Sequence, residues 1–524
     1  MSLELITALQ SPERYDHSIK QFELIETHIS WVILTGEYVY KIKKPVNFGF
    51  LDFTTLAQRA HYCQEELRLN QRLAPDLYLE VVPITGSISE PVLGGTGPAI
   101  EYAIKVRQFP QQNLLDRMQA KGKLTAEHIT ELGRLIADFH QRIDVAPATS
   151  RFGTPEHVYA PMGQNFEQIR PMLTDPALLK QLEHLQVWAE TTFERLKPEI
   201  VQRKSQGFIR ECHGDIHLGN ITLVNERVVL FDCIEFNEDF RWTDTACDLA
   251  FILMDLQSRG LNKYARQLLG EYLEITGDFE LLNLLRFYKS YRAMVRAKIA
   301  LFTRAAPGMS EAKQEELLQT YRQYADLAES YTLLPCRVCF IGQGVCGSGK
   351  STVGRVLNEE FGALPLRSDV ERKRLFNIAP RAASGSGLDQ GIYTPEASAR
   401  TYARLEKLAE LLLKAGYPVY VDATNLKHAH RQRFETVAEE AGVPSVLISC
   451  QTPEATVRNW VTQREAKGND TSEAGVAVLD KQLSALEPLT QEELRHAIVV
   501  DASDREAVVG LVSRVRANLG AGCQ

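Results

Sequence analysis

The sequence lacks the features that would place the chain in or beyond a membrane. No uninterrupted apolar run approaches the ~20 residues needed to cross a bilayer. The amino-terminal residues do not begin with basic side chains followed by an apolar core, so we expect no secretory signal. The nine cysteines are odd in number and scattered, which is typical of a reducing compartment rather than of a disulfide framework. We therefore predict a cytoplasmic protein without membrane contact.

The sequence also has no excess of positive charge. Lysine and arginine together number 59 against 67 aspartates and glutamates, and the formal net charge is −8. This balance argues against broad binding of nucleic acid or of an anionic membrane, although a local basic patch would be compatible with it. With 524 residues, of which 44% are hydrophobic, the chain is long enough for about two to four domains with cores of their own.

One stretch in the second half fits a phosphate-binding loop. Residues 344–352 match the pattern G-x-x-x-x-G-K-[ST], with a strand-length apolar run before them and apolar residues at helical spacing after them. Glycines let backbone N–H groups turn toward a polyphosphate, and the helix N-terminus adds partial positive charge. We expect Lys350 to reach the β- and γ-phosphates of ATP and Ser351 to bind Mg²⁺. The nucleotide-binding residues that this pattern predicts are Gly344, Gly347, Ser348, Gly349, Lys350, Ser351 and Thr352.

The first half opens with predicted strands, of which the second, at 37–43, carries two lysines. Lys41 and Lys43 lie two residues apart and therefore share one face of the strand. A lysine in the middle of a strand is unusual unless it meets an anion. A predicted helix at 56–73 follows and carries Glu66. The spacing does not choose between the two lysines.

A second group of polar residues lies between 211 and 232. Asp215 and Asn220 belong to the stretch H-G-D-I-H-L-G-N, and two short predicted strands then lead to Asp232. A hairpin of that length returns Asp232 toward Asn220, so we expect the three side chains to converge. Their oxygens suit a point where Mg²⁺ meets a nucleophile: one carboxylate to accept a proton, and an amide and a carboxylate for the metal.

This arrangement resembles the eukaryotic-type kinase fold in its aminoglycoside phosphotransferase and choline-kinase branch, where H-G-D-x-x-x-x-N replaces the H-R-D-x-x-x-x-N of protein kinases. The resemblance covers about residues 25–300. No G-x-G-x-x-G precedes Lys41, and Cys-Ile rather than Phe-Gly follows Asp232. Both departures are usual in the small-molecule branch, and they argue against a protein substrate without excluding one.

The resemblance implies an α+β, bilobal domain that transfers phosphate from Mg-ATP. It also implies roles for individual residues: Asp215 as catalytic base, Asn220 and Asp232 as Mg²⁺ ligands, Lys41 on the α- and β-phosphates with Glu66 as its partner, Lys43 as the alternative to Lys41, and Asp248 as a brace of the catalytic loop. On a later helix, Lys289, Arg292 and Arg296 share one face. That face fits either a solvated surface or a subsite for an anionic substrate.

The second half alternates predicted strands and helices, which is typical of a parallel sheet with helices on both faces. In such sheets the chemistry collects at the carboxyl ends of the strands. Asp422 ends one predicted strand and suits a Mg²⁺ ligand. Asp369 follows another and suits either a residue that deprotonates an acceptor hydroxyl or a helix cap. Arg458 and Arg464 lie near a glycine-containing loop and suit a lid over the transferring phosphoryl group, and Arg464 is the stronger candidate.

Ser368-Asp369, the stretch Asp-Ala-Thr-Asn at 422–425 and the Arg464 lid make the second half similar to one group of P-loop kinases. That group contains gluconate kinase, polynucleotide 5′-kinase, chloramphenicol phosphotransferase and the zeta toxins. The resemblance implies phosphorylation of a small hydroxyl compound, a nucleotide sugar or a nucleic-acid end. The order of the two halves also resembles a bacterial family described as bifunctional aminoglycoside phosphotransferase and ATP-binding protein.

We therefore expect two domains, a kinase-like α+β domain at 1–331 and an α/β P-loop kinase domain at 332–524. Each would transfer the γ-phosphoryl group of Mg-ATP to a hydroxyl group of a small molecule. In one alternative, one half is a nucleotide-binding module that regulates the other. In a second alternative, the P-loop half is a nucleic-acid end kinase. The sequence identifies neither acceptor and leaves the oligomeric state open.

Overall fold

The computed structural model describes residues 3–19, 21–49, 51–387, 389–467 and 472–520, which form two compact units. The first unit contains the described residues within 1–135, 139–255 and 291–318. The second contains those within 136–138, 256–290 and 319–524. Residues 256–290 therefore group with the second half of the chain, and the boundary that we place near residue 332 stays a prediction. Among the described residues, we find no helix that is both long and apolar enough to cross a membrane.

The amino-terminal part of the first unit combines an antiparallel sheet with two helices. Its elements are α1 (Leu3–Ala8), β1 (Glu23–Glu26), β2 (Ser30–Leu34), β3 (Tyr38–Lys43), α2 (Leu56–Gln71), β4 (Tyr78–Gly86), β5 (Pro91–Leu93) and β6 (Glu101–Arg107). The strand order is β1-β2-β3-β6-β4-β5. Tyr40 and Ile42 of β3 are buried in the core on one face of the sheet. Because side chains alternate along a strand, Lys41 and Lys43 point to the other face, where α2 lies.

Helix α2 begins where its sequence provides a capping box. The Thr55 side chain accepts a hydrogen bond from the backbone N–H of Gln58, and the Gln58 side chain accepts one from the backbone N–H of Thr55. This start places Glu66 in the third turn of the helix, under the sheet.

The rest of the first half is mainly helical, with two short antiparallel strand pairs. Its elements are α3 (Leu115–Ala120), α4 (Ala126–Arg142), α5 (Pro155–Ile169), α6 (Pro176–Ser205), β7 (Ile209–Glu211), β8 (Ile221–Val224), β9 (Arg227–Leu230), α7 (Glu238–Arg241), β10 (Trp242–Asp244), α8 (Thr245–Ser258), α9 (Asn262–Thr276), α10 (Leu282–Arg304) and α11 (Glu311–Ser330). Strands β8 and β9 form the predicted hairpin, with Ile221 opposite Leu230. Asn220 directly precedes the hairpin, and Asp232 follows it by two residues.

The second half is an α/β fold around a parallel sheet. Its elements are β11 (Cys339–Gln343), α12 (Lys350–Phe361), β12 (Leu364–Arg367), α13 (Ser368–Leu375), α14 (Pro395–Lys414), β13 (Val419–Asp422), α15 (His428–Glu440), β14 (Ser445–Cys450), α16 (Glu454–Lys467), α17 (Val476–Ser484), α18 (Gln491–His496), β15 (Ile498–Val500) and α19 (Arg505–Leu519). The five strands are parallel in the order β12-β13-β11-β14-β15. Their core includes the fully buried Phe340, Leu357, Tyr420, Ile448 and Leu511.

The fold class that we predict, an α+β kinase-like half followed by an α/β P-loop half, is confirmed. Helix α12 has the bounds that the sequence predicts, 350–361. The strands of the second half are predicted at 337–342, 363–367, 418–422, 443–449 and 497–501, and the structure differs from these ranges by at most two residues at an end. Helices α17, α18 and α19 are not predicted from the sequence. Two of them, α17 and α18, have fewer than ten residues, too few for a clear apolar periodicity.

Candidate active sites

The first candidate site lies between β3, α2 and the segment after β9. Lys41 Nζ lies 2.8 Å from Glu66 Oε1 and 2.7 Å from Asp232 Oδ1. The Glu66 side chain is fully buried, whereas the Asp232 side chain is 42% exposed. Burial would raise the pKa of Glu66, but the positive charges of Lys41 and Lys43 outweigh it and lower that pKa to about 2. Glu66 therefore stays ionised and holds Lys41 at the edge of the site.

The structure distinguishes the two lysines that the sequence could not. Lys43 Nζ lies 2.6 Å from Glu66 Oε2 and also contacts Glu235 Oε1, and its side chain is 0% exposed. The Lys41 side chain is 18% exposed and reaches Asp232. Of the pair, Lys41 is thus the one that a nucleotide could contact, and Lys43 lies behind it.

Asp215 and Asn220 are in contact at the start of the β8–β9 hairpin. The Asn220 amide nitrogen donates to the backbone oxygen of Asp215 at 3.1 Å and to its Oδ2 at 3.2 Å. The N–H of Phe231 donates to the backbone oxygen of Asn220 at 3.1 Å, so Asp232 follows directly after this contact. Asp232 has a φ of +65°, a left-handed conformation that is uncommon outside glycine. The structure thus brings the three predicted side chains to one end of the hairpin.

Side chains of two helices, α8 and α10, bond to the backbone of the loop that carries Asp215. Asp248 of α8 accepts the backbone N–H groups of His213 and Gly214 at 3.0 and 2.9 Å, as the resemblance implied for a brace. Arg292 of α10 donates to the backbone oxygen of Gly214 at 3.1 Å and is buried. Arg292 is therefore neither a solvated cation nor an anion subsite, because its guanidinium group is used inside the fold.

A neighbouring histidine keeps Asp215 ionised. His217 Nε2 lies 3.5 Å from Asp215 Oδ2. Burial would raise the pKa of Asp215, but the hydrogen bond and charge of His217 and the charge of His213 outweigh it, and that pKa lies below its usual value. The carboxylate is therefore ionised near neutral pH, which is the state that a general base needs before it can accept a proton.

The second candidate site lies at the carboxyl ends of the parallel strands, in the second unit. Lys350 Nζ donates to the backbone oxygens of Gly344 and Val345 at 2.9 and 2.7 Å, so its ammonium group lies across the predicted phosphate loop. Gly347 and Gly349 have φ values of +75° and +87°. A Cβ atom at Gly349 would lie 2.2 Å from Ala502 Cβ, and one at Gly347 would lie 2.6 Å from Val461 Cγ2. Larger residues would not fit this loop.

The serine that follows Lys350 contacts the end of the neighbouring strand, β13. Ser351 Oγ donates to Asp422 Oδ2 at 2.8 Å. Arg367 lies opposite Asp422 in the β12–β13 register, with its Nε 3.9 Å from Asp422 Oδ2. Gln482 Oε1 accepts the backbone N–H of Cys346 at 2.6 Å. Neither Arg367 nor Gln482 is among the residues that we predict from the sequence. Arg367 could have been found from its position at a strand end, but nothing in the sequence near Gln482 points to the loop.

One cavity of about 210 Å³ is lined by the phosphate loop, by Arg367 and Gln482, and by Asp369, the residue that we predict to orient the acceptor hydroxyl group. Arg464 of α16 lines it and donates to the backbone oxygen of Ala474 at 2.6 Å. Arg458 does not line it and pairs with Glu454 and Asp480. The middle of the predicted lid, 468–471, lies outside the described residues. The cavity lining includes Gly347, Gly349, Lys350, Ser351, Thr352, Asp369, Asp422 and Arg464.

The residues at both sites fit a magnesium nucleotide. The hydroxyl group of Ser348 is buried in the phosphate loop and has no hydrogen-bond partner among the described residues, which suits a phosphate oxygen. Ser351 and Asp422 offer hydroxyl and carboxylate oxygens, and Asn220 and Asp232 offer amide and carboxylate oxygens. Oxygen ligands of these types are the ones that Mg²⁺ prefers.

Comparison with known families supports the two-part organisation. Residues 31–285 match the model of a phosphotransferase enzyme family, and residues 340–489 match the model of an AAA domain. These matches define the class of the protein: it is an ATP-dependent kinase, with a phosphotransferase domain in its first half and a P-loop domain in its second.

Relatives and solved structures resemble parts of the chain of different length. Uncharacterized proteins of Mycobacterium tuberculosis and Mycobacterium bovis are 27% identical over 461 residues, which cover 87% of this chain and 89% of theirs. A choline/ethanolamine kinase family protein of Mesorhizobium loti is 11% identical, covers 62% of this chain and 98% of its own, and has a TM-score of 0.38. A gluconokinase of Sinorhizobium meliloti is 21% identical, covers 36% of this chain and 92% of its own, and has a TM-score of 0.25.

Proposed function

We propose that each half of the chain transfers the γ-phosphoryl group of Mg-ATP to a hydroxyl group of a small molecule. The observation that carries the proposal is a repeated set of side chains. Each unit assembles a lysine, a carboxylate beside an oxygen ligand, and a second carboxylate that could accept a proton. In the first unit these are Lys41, Asp232 with Asn220, and Asp215. In the second they are Lys350, Asp422 with Ser351, and Asp369.

Phosphoryl transfer depends on positioning and charge neutralisation more than on a strong nucleophile. Bound Mg²⁺ supplies charge neutralisation on the phosphate oxygens. Lys41 and Lys350 hold the phosphates, and Arg464 adds positive charge on the acceptor side of the second cavity. Asp215 and Asp369 orient the acceptor hydroxyl groups and accept their protons. A cytoplasmic location is part of the proposal.

The proposal is tested by incubating the full-length protein with a metabolite extract and ATP labelled at the γ-phosphate. We expect two labelled products, one lost in Asp215→Asn and the other in Lys350→Ala. Asp239→Asn and Lys414→Ala are matched controls, because both side chains form exposed ion pairs whose partners, Arg151 and Glu410, are not site residues. Loss of all ATP turnover from either single change would rule out independent sites. If the wild-type protein forms a single labelled product and Lys350→Ala still forms it, the P-loop half does not transfer phosphate and a regulatory role is favoured.

A further inference from the structure

Five charged side chains form one cluster of ion pairs in the first unit, which we call the ion cluster. Its members alternate in charge from one end to the other: Asp232, Lys41, Glu66, Lys43 and Glu235. The two lysines come from β3, Glu66 comes from α2, and the two end carboxylates come from the segment after β9. The cluster therefore joins three separate parts of the chain.

The two halves of the cluster differ in their access to solvent. Asp232 is 42% exposed and Lys41 18% exposed, whereas Lys43 is 0% and Glu235 5% exposed. Burial alone would lower the pKa of Lys43, but the carboxylates of Glu235 and Glu66 outweigh it and raise that pKa above its usual value. Lys43 is therefore a permanent cation that cannot reach a nucleotide.

The proposed role of Lys41 requires its ammonium group to exchange Asp232 for phosphate oxygens. That exchange removes the direct bond between β3 and Asp232. Lys43 keeps its bonds to Glu66 and Glu235 throughout, because neither partner faces the nucleotide. The contact between Lys43 and Glu235 thus preserves the spacing of β3, α2 and the segment 232–235. Meanwhile Lys41 leaves Asp232 and takes up the phosphate oxygens.

The conformation of Asp232 shows why such a support is needed. Its φ of +65° is strained for a residue with a side chain, and strained residues persist where their surroundings fix them. The following residues are fixed on three sides. Cys233 N–H donates to Asn70 Oδ1 at 3.0 Å, Ile234 N–H donates to the His213 oxygen at 3.0 Å, and Glu235 contacts Lys43. Of these three contacts, only the Glu235–Lys43 contact also reaches β3.

We infer that Lys43 and Glu235 are positioning residues that hold Asp232 in its metal-binding place while Lys41 contacts the nucleotide. This inference rests on the proposed function of the first unit. It assigns the pair no contact with substrate. It predicts that removing the pair weakens the magnesium dependence of nucleotide binding without unfolding the domain.

The test uses the full-length protein in a Lys350→Ala background, so that binding reports on the first unit. A non-hydrolysable ATP analogue is titrated at several Mg²⁺ concentrations by calorimetry. In Lys43→Met with Glu235→Met, one cation and one anion leave together, so the net charge beside Asp232 does not change. Methionines of similar volume can replace a buried ion pair without loss of stability, and Glu66, which also pairs with Lys43, keeps Lys41 as its partner. We expect a melting temperature close to that of the background and a Mg²⁺ affinity at least about tenfold lower.

The matched control is Arg59→Met with Glu101→Met. That pair is also buried, joins α2 to the same sheet at 2.9 Å, and does not touch the segment 232–235. We expect its Mg²⁺ dependence to equal that of the background. Lys43→Arg keeps a cation between the two carboxylates and should recover part of the affinity.

Two outcomes overturn the inference: an unchanged Mg²⁺ affinity in the double methionine variant, or an equal loss in the Arg59 and Glu101 control. If the double variant does not fold, Glu235→Gln decides, because it keeps the shape and removes the charge; wild-type Mg²⁺ affinity in that variant would contradict the inference. Asp232→Asn separates the role of the pair from the function of the site. If it leaves Mg²⁺ dependence unchanged, the proposed function of the site is wrong rather than the role of Lys43 and Glu235.

Discussion

Ser351 Oγ lies 2.8 Å from Asp422 Oδ2, although 71 residues separate the two along the chain. The contact joins the first turn of α12 to the end of β13, the strand next to the one that feeds the phosphate loop. Ser351 and Asp422 are the two residues that we expect to share Mg²⁺. Their contact shows that the parallel sheet brings the two proposed metal ligands together.

Replacing Ser351 by alanine should weaken Mg²⁺-dependent nucleotide binding in the second unit. A hydrogen bond to a charged group contributes about 1.5–3 kcal/mol, so we expect a loss of about 10- to 100-fold in affinity. The measurement is calorimetry with an ATP analogue and Mg²⁺ in a Lys41→Met background, which silences the first unit. Thr436→Val is the control, because it removes an exposed hydroxyl group that bonds only within its own helix. Equal losses in both variants would argue against a metal role for Ser351.

Replacing Glu66 by glutamine should strongly destabilise the first unit. Removing one partner of a buried ion pair costs about 3–5 kcal/mol. Lys41 and Lys43 keep Asp232 and Glu235 as partners, so we expect the loss to lie at the lower end of that range. The folded-state pKa of Glu66 is about 2, below the value of about 4.3 expected for an unfolded chain. The stabilisation is therefore fully present above about pH 4.3 and is lost as pH falls toward 2.

Urea unfolding at several pH values measures this effect. In the wild-type protein the free energy of unfolding should fall as the pH drops from about 4.3, and Glu66→Gln should flatten that part of the curve. Glu65→Gln is a close control, because Glu65 is the neighbouring residue on the same helix and pairs with the half-exposed Arg68. A pH dependence in Glu66→Gln as steep as in the wild type would contradict the assignment.

Replacing Lys289 by methionine should stabilise the second unit near neutral pH. Burial, together with the positive charges of Arg286 and Arg266, lowers the pKa of Lys289 to about 7. Its ammonium group contacts Gln257 Oε1 at 3.2 Å and lies 4.3 Å from the centre of the Tyr331 ring, and no carboxylate among the described residues pairs with it. The unfolded chain keeps this lysine protonated up to about pH 10.4, so the wild-type free energy of unfolding should rise between about pH 7 and 10.

We expect Lys289→Met to be about 1–3 kcal/mol more stable than the wild type at pH 7, with the difference shrinking as pH rises. Thermal unfolding across that range provides the measurement. Lys263→Met is the control, since Lys263 forms an exposed pair with Glu360 and should change stability by less than about 1 kcal/mol. A constant difference between Lys289→Met and the wild type at all pH values would exclude titration of Lys289 as the cause.

Much of the second site could be predicted because its signals are local. The phosphate loop is a run of neighbouring residues whose glycines and lysine act through their own backbone, and helix α12 begins and ends where its sequence indicates. Asp369 and Asp422 were found because strand ends can be read from short apolar runs, and parallel strands place their carboxyl ends at one edge. The hairpin that returns Asp232 to Asn220 is local in the same sense.

The choice between Lys41 and Lys43 could not be made from the sequence. The period of a strand assigns both lysines to the same face, and nothing nearby distinguishes their depth. Their partners are 23 to 192 residues away, on a helix and on a distant segment, and it is those partners that bury one lysine and leave the other at the surface. Local sequence patterns thus identify the chemical groups, and long-range packing assigns each group its neighbours and exposure, because burial and charge pairing depend on distance in space rather than along the chain.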